Sequence, residues 1–151
     1  MSANPQPSQH RAPSAPSFIK NTHVYLYRLT GGVIGGKMGS RPLLLLTTTG
    51  RKSGKERVTP LLYLPEGNEY LLAASNYGSE QHPQWYLNLL AQPQATVQIG
   101  RKIIPVTART ASAEERPRLW ARFTRYQNFA SYERKIKREI PVVILTPTSA
   151  G

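Results

Sequence analysis

Residues 47–65 read TTTGRKSGKERVTPLLYLP, and no other stretch of the chain gathers so many groups able to do chemistry. Arg51, Lys52, Lys55 and Arg57 crowd around Gly50 and Gly54, with Ser53 between them. Cations beside glycines on a turn suit an oxyanion. Lysine supplies a mobile point charge, arginine a planar fork for two oxygens, and glycine lets backbone N–H groups come close. A triphosphate loop of the form G-x-x-x-x-G-K-[ST] is excluded. Gly50 and Gly54 stand one residue too close, and Glu56 fills the place of the hydroxyl that would meet magnesium. The following VTPLLYL reads as a strand, where such a loop requires a helix. A solvated hairpin turn uses the same residue types, so the choice between plain turn and anion site rests on the rest of the chain.

Other reactive side chains are scarce. The chain of 151 residues has no cysteine, which removes disulfides, thiolate ligands and a thiol nucleophile. His10, His23 and His82 are far apart and show no zinc-ligand spacing, so no metal is expected. The net charge of +12 attracts a polyanion, whether nucleic acid, anionic lipid or an acidic small molecule. No RNP, KH, helix-turn-helix or zinc motif accompanies the charge, so nucleic acid is not expected as a partner. The N-terminus lacks the apolar stretch of a signal peptide and no window is long enough to span a bilayer, which points to a cytoplasmic protein.

The elements that must carry the loop follow from pattern. Residues 1–17, rich in Pro, Ser, Gln and Ala, read as a disordered tail, and residues 18–147 as one domain followed by a short tail, 148–151. Phe18, Ile19, Tyr25, Leu26 and Leu29 recur at helical spacing. PLLLLTTT is a short apolar run that suits a fully buried strand, and ERVTPLLYLP and EYLLAAS follow as strands around the turn EGN. HPQWYLNLLAQP reads as a helix, with Pro83 at its first position and Pro93 past its end. QATVQIG and KIIPVTART are strands around Gly100-Arg101, and Ser112 with Glu115 forms a capping box for a helix through Leu119, Trp120 and Phe123. A second helical piece spans RYQNFASYERKIKRE, and IPVVILTP closes the chain as a strand. About six short strands joined mostly by hairpins, with flanking helices, predict a mainly β, α+β fold: a small antiparallel barrel.

Three segments in order, TTTGRKSGKERVTPLLYLP, ASNYGSEQHPQWYLNLLAQPQATVQIG and REIPVVILTP, resemble the deazaflavin-dependent nitroreductase and quinone reductase family. The resemblance covers roughly residues 18–147. It implies a split β-barrel like those that bind flavin mononucleotide. It also implies coenzyme F420, an 8-hydroxy-5-deazaflavin with a phosphodiester and an acidic tail, and hydride transfer to a quinone or another electrophilic small molecule. In that light Lys52, Ser53, Gly54 and Arg57 match the coenzyme-binding loop, which favours the anion site over the plain turn. Ala74 and Ser75 match positions beside the ring or its ribityl chain, and Asn76 stands where some members carry Lys.

Trp85 is assigned to the coenzyme side of its helix, on the ground that Trp85 and Tyr86 cannot both face one core. His82, before Pro83, reads as a helix cap ahead of a catalytic acid. Tyr126 and Tyr132 match catalytic positions on the wall of the acceptor pocket, and Phe129 lines that pocket. Some nitroreducing members have Tyr where Phe129 stands, so quinone reduction is expected ahead of nitroreduction. A storage module that binds the coenzyme without turnover is the main alternative. An apolar stripe on residues 18–29 beside Lys20 and Arg28 suggests peripheral contact with an anionic membrane surface, with packing over the barrel mouth as the rival.

Overall fold

The computed structural model describes residues 37–38, 41–125 and 127–148. The tail of residues 1–17, the helix read over residues 18–29 with its membrane contact, and Tyr126 lie outside the described residues.

Among the described residues eight strands form the framework: β1 Lys37–Met38, β2 Arg41–Thr49, β3 Glu56–Leu62, β4 Leu64–Glu66, β5 Glu69–Ala73, β6 Gln94–Ile99, β7 Lys102–Thr110 and β8 Val142–Pro147. The helices among the described residues are α1 Gln84–Ala91, α2 Arg116–Phe123 and α3 Gln127–Lys135, with a 3₁₀ turn at Asn76–Gly78. All pairings are antiparallel, in the order β1-β2-β6-β7-β8-β5-β4, with β3 also paired to β2. Only Tyr63 separates β3 from β4, so one chain segment pairs with both ends of the sheet and curls it into a barrel. The reading of ERVTPLLYLP as one strand is right about the chain and misses the bend at Tyr63. Before that bend β3 pairs with β2 and after it β4 pairs with β5, and a split lies between β3 and the end of β5. Pro60 sits on β3, which pairs only with β2. A residue without an N–H is tolerated at such an edge.

Side chains alternate as a curled sheet requires. Leu44 and Leu46 of β2, Leu72 of β5, Val97 of β6, Val106 of β7 and Val143 and Leu145 of β8 fill the barrel. Leu71, Val142 and Ile144 point outward and are covered by Leu119, Trp120 and Phe123 of α2 and by Ile136 and Ile140. The continuous apolar run of β2 is explained by this geometry, because Leu43 and Leu45 on its other face are buried as well.

Helix α1 packs its buried face against the barrel core. Trp85, Tyr86 and Leu89 all enter the inner core, each contributing roughly 1.5–3 kcal/mol by burial. The expectation that only one of Trp85 and Tyr86 faces the core is therefore corrected. Trp85, Tyr86, Asn88 and Leu89 form one wide buried face of the helix, so adjacent rings both reach the interior, with centroids 6.2 Å apart and planes at 81°. Tyr86 Oη meets Thr110 Oγ1 at 2.9 Å, which satisfies its polar end. Pro83 takes the N-cap position, one residue earlier than the pattern suggested.

The Ser112–Glu115 capping box forms as expected. The Ser112 amide donates to Glu115 Oε1 at 2.9 Å and the Glu115 amide to Ser112 Oγ at 3.2 Å. Trp120 Nε1 donates to Glu133 Oε2 at 2.7 Å, which ties α3 to α2 and fixes the wall that α3 presents to the split.

Candidate functional site

The basic stretch is the hairpin loop between β2 and β3, whose last pair is Thr49 and Glu56. The Gly50 amide donates to the Lys55 carbonyl at 2.7 Å and the Gly54 amide to the Gly50 carbonyl at 2.8 Å, closing a compact turn. The Lys55 amide donates to Ser53 Oγ at 3.1 Å. A Cβ on Gly50 would lie 2.8 Å from Ser53 Oγ and 3.1 Å from the Lys55 carbonyl oxygen, so only glycine leaves this turn undistorted. Gly54 has φ +74°, the left-handed region that favours glycine.

The loop is fastened to α1. Asn88 Oδ1 accepts from the Arg51 amide at 3.1 Å and from Arg51 Nη1 at 2.9 Å, while Arg51 Nη2 donates to Gln84 Oε1 at 2.9 Å. Asn88 is buried and its Nδ2 donates to Thr48 Oγ1 at 3.3 Å. With Arg51 so engaged, Lys52, Lys55 and Arg57 remain exposed. Lys52, Ser53, Arg57, Trp85 and Asn88 line a cavity of about 660 Å³. Glu56 shares it, and burial lifts its carboxyl above the ordinary value.

A second cavity, of about 420 Å³, occupies the split in the barrel. Its walls are Leu61 and Leu62 of β3, Ala73 and Ser75 at the end of β5, and Phe129 and Tyr132 of α3. The Phe129 and Tyr132 rings pack edge to face at 5.9 Å. Thr59, Gln84 and Trp85 border both cavities, so a cationic groove and an apolar groove meet at the Trp85 ring.

The segment from Ala74 to His82 forms the rim, and Arg138 holds it. Its guanidinium donates to the carbonyls of Ala74 at 3.2 Å, Ser75 at 2.9 Å and Ser79 at 3.0 Å. Nη1 also lies 3.1 Å from His82 Nδ1. Burial, then the Arg138 charge, holds the His82 imidazole below its ordinary value of 6.5. His82 is thus not the helix cap that its place before Pro83 suggested. Its ring nitrogen faces Arg138, and α1 has no side-chain cap.

Most of the residues singled out in the sequence converge. Lys52, Ser53 and Arg57 line the cationic groove, Ser75, Phe129 and Tyr132 the apolar one, and Trp85 both, while Gly54 shapes the turn. Ala74 is not brought to either groove. It is fully buried in the inner core, and its neighbours Ala73 and Ser75 line the split instead. Arg51, Asn88 and Arg138 were missed as site-forming residues. Gln84 and Asn88 stand four apart on one helix face, a spacing that marks a shared partner but does not name it.

A cationic groove that opens into an apolar one has the chemistry to hold an anionic chain joined to a flat apolar ring. Residues 19–147 match the model of the F420H(2)-dependent quinone reductase family. An F420H(2)-dependent quinone reductase of Mycobacterium tuberculosis is 38% identical over 129 residues, covering 82% of this chain and 87% of that protein. The solved structure of an F420-H2 dependent reductase is 44% identical over 70% of this chain and 94% of its own, with a TM-score of 0.63. At the level of fold alone, the haem storage protein HutZ of Vibrio cholerae superposes with a TM-score of 0.57 at 13% identity, covering 85% of this chain and 90% of that one. The fold thus agrees with that of a solved F420-H2 dependent reductase, and the chain belongs to the F420H(2)-dependent quinone reductase family, oxidoreductases whose cofactor is coenzyme F420.

Proposed function

We propose that this protein transfers hydride from reduced coenzyme F420 to a quinone. The observation that carries the reading is the junction at Trp85 of a cationic groove with an apolar one. Lys52 and Arg57 meet the phosphodiester and acidic tail, Arg57 as a fork and Lys52 as a point charge. Ser53 and Gly54 keep the turn open to an oxyanion, and the Arg51–Asn88 tether holds that turn against α1. Trp85 and Ser75 border the ring site. The coenzyme, when bound, supplies the hydride, and the protein supplies orientation and electrostatics. The split keeps a flat acceptor out of bulk water between β3 and α3. Phe129 supplies an apolar face there, and Tyr132 a phenol from which the reduced quinone can draw a proton. Tyr126 joins them in this reading through the family resemblance.

Tight binding of the coenzyme's anionic part tests the assignment of the loop. Fluorescence titration is expected to show the intact coenzyme binding at least about tenfold more tightly than its phosphate-free deazaflavin core. Equal affinities would contradict the role given to Lys52 and Arg57.

A further inference from the structure

Asn76, Tyr77 and Gly78 follow one another in the left-handed region, at φ 50°, 56° and 82°. Glycine adopts this conformation readily and asparagine tolerates it, but a tyrosine there is strained, because its Cβ crowds the following carbonyl oxygen. Among the described residues the Tyr77 side chain has no hydrogen-bond partner. It is 84% exposed, more than any other large hydrophobic side chain among the described residues.

The surrounding frame holds the strained turn. The Gly78 amide donates to the Ser75 carbonyl and the Ser79 amide to the Asn76 carbonyl, both at 3.0 Å. Asn76 Nδ2 donates to the Gln81 carbonyl at 2.9 Å, and Arg138 clamps Ser75 and Ser79 from behind. On the other side the turn rests on α3, where a Cβ on Gly78 would come within 2.9 Å of Tyr132 Cδ1. Folding alone gives no reason to hold an aromatic ring in water on strained backbone, whereas a ligand does. Tyr77 stands on the rim of the apolar groove that Trp85, Phe129 and Tyr132 also line.

We propose that Tyr77 is a stacking platform for the acceptor and selects fused-ring quinones over single-ring ones. The inference rests on the quinone-reductase reading above and adds to it the residue that reads acceptor shape. Offset stacking strengthens with the area of overlap, so a two-ring naphthoquinone gains more from the Tyr77 face than a benzoquinone does. No covalent step is assigned to the residue.

The test uses Tyr77→Gly and Tyr77→Phe in the full chain. Glycine suits φ +56°, so the first variant removes the ring while relieving strain. Binding of menadione and of a one-ring benzoquinone is measured by calorimetry on protein saturated with oxidised coenzyme, where no turnover occurs. Tyr77→Gly is expected to weaken menadione about 3–10-fold and benzoquinone less than about twofold. Its coenzyme affinity stays unchanged and its melting temperature rises, while Tyr77→Phe keeps wild-type affinity for menadione. Unchanged menadione binding in Tyr77→Gly overturns the inference. So does a parallel loss of coenzyme affinity, which assigns the ring to the coenzyme, or a lower melting temperature, which makes it structural. Wild-type protein that binds no coenzyme sinks the underlying reading, and this inference with it.

Discussion

Replacing Asn88 with alanine cuts the anchor of the basic loop and leaves every cation in place. Asn88 Oδ1 accepts two bonds from Arg51, at 3.1 Å from the amide and 2.9 Å from Nη1, and Nδ2 donates to Thr48 Oγ1 at 3.3 Å. A bond from a charged donor contributes about 1.5–3 kcal/mol and a neutral one about 0.5–1.5 kcal/mol. The Thr48 bond is long and the Arg51 side chain regains water once released, so the full sum is not reached. The expected loss is about 2–3 kcal/mol of unfolding free energy, read from urea denaturation. Coenzyme binding must then order a looser loop, an added cost of about 1 kcal/mol, or roughly fivefold in Kd. Gln84→Ala is the control, since it removes only the exposed bond from Arg51 Nη2 and is expected to cost about 0.5 kcal/mol or less. Equal effects of the two substitutions, or an unchanged midpoint for Asn88→Ala, would refute the view that the buried amide organises the loop.

Three further expectations concern the same grooves. Lys52→Ala and Arg57→Ala should each weaken coenzyme binding by about 1.5–3 kcal/mol, and added salt should weaken the wild type, with titrations at two ionic strengths as the check. Phe129→Tyr places a phenol on the α3 wall and should raise reduction of bicyclic nitroimidazoles relative to quinones. A wild type that reduces both classes equally well would contradict this. His82 has its folded-state pKa depressed, so the unfolded chain binds its proton first as pH falls. The resulting stability is full above about pH 6.5 and is lost as pH drops through the lower folded value. Urea midpoints between pH 7.5 and 5 should show that slope, and His82→Gln should flatten it. A slope unaltered in His82→Gln would assign it elsewhere.

How much of this was legible in the residues depends on the range of the interactions involved. The loop from Gly50 to Arg57 could be read because its cations, glycines and flanking strands are contiguous, and the Ser112–Glu115 box because capping is local. The bend at Tyr63 has no such signature. ERVTPLLYLP alternates like one strand, and only the two different partners of β3 and β4 divide it. Setting Trp85 against Tyr86 assumes a narrow apolar stripe, whereas the buried face of this helix takes in Trp85, Tyr86, Asn88 and Leu89. Ala74 sits in the core between two groove-lining neighbours, Ala73 and Ser75, and no local signal separates the three. Arg51 stands in sequence as one more cation of the loop, and nothing local points to its partner Asn88, 37 positions away. The left-handed backbone at Tyr77 is set by Arg138 and Tyr132, far along the chain, and NYG alone does not reveal it.

Anaerobic single-turnover spectroscopy tests the central claim most directly. Protein loaded with one equivalent of reduced coenzyme F420 is mixed with menadione, and the absorbance of the oxidised deazaflavin is followed against a protein-free control. The account predicts that the oxidised chromophore appears in step with quinone reduction, much faster than in the control and more slowly when Lys52 or Arg57 is replaced at sub-saturating coenzyme. Tight binding with no oxidation above the control would contradict it and leave a protein that holds the coenzyme without using it.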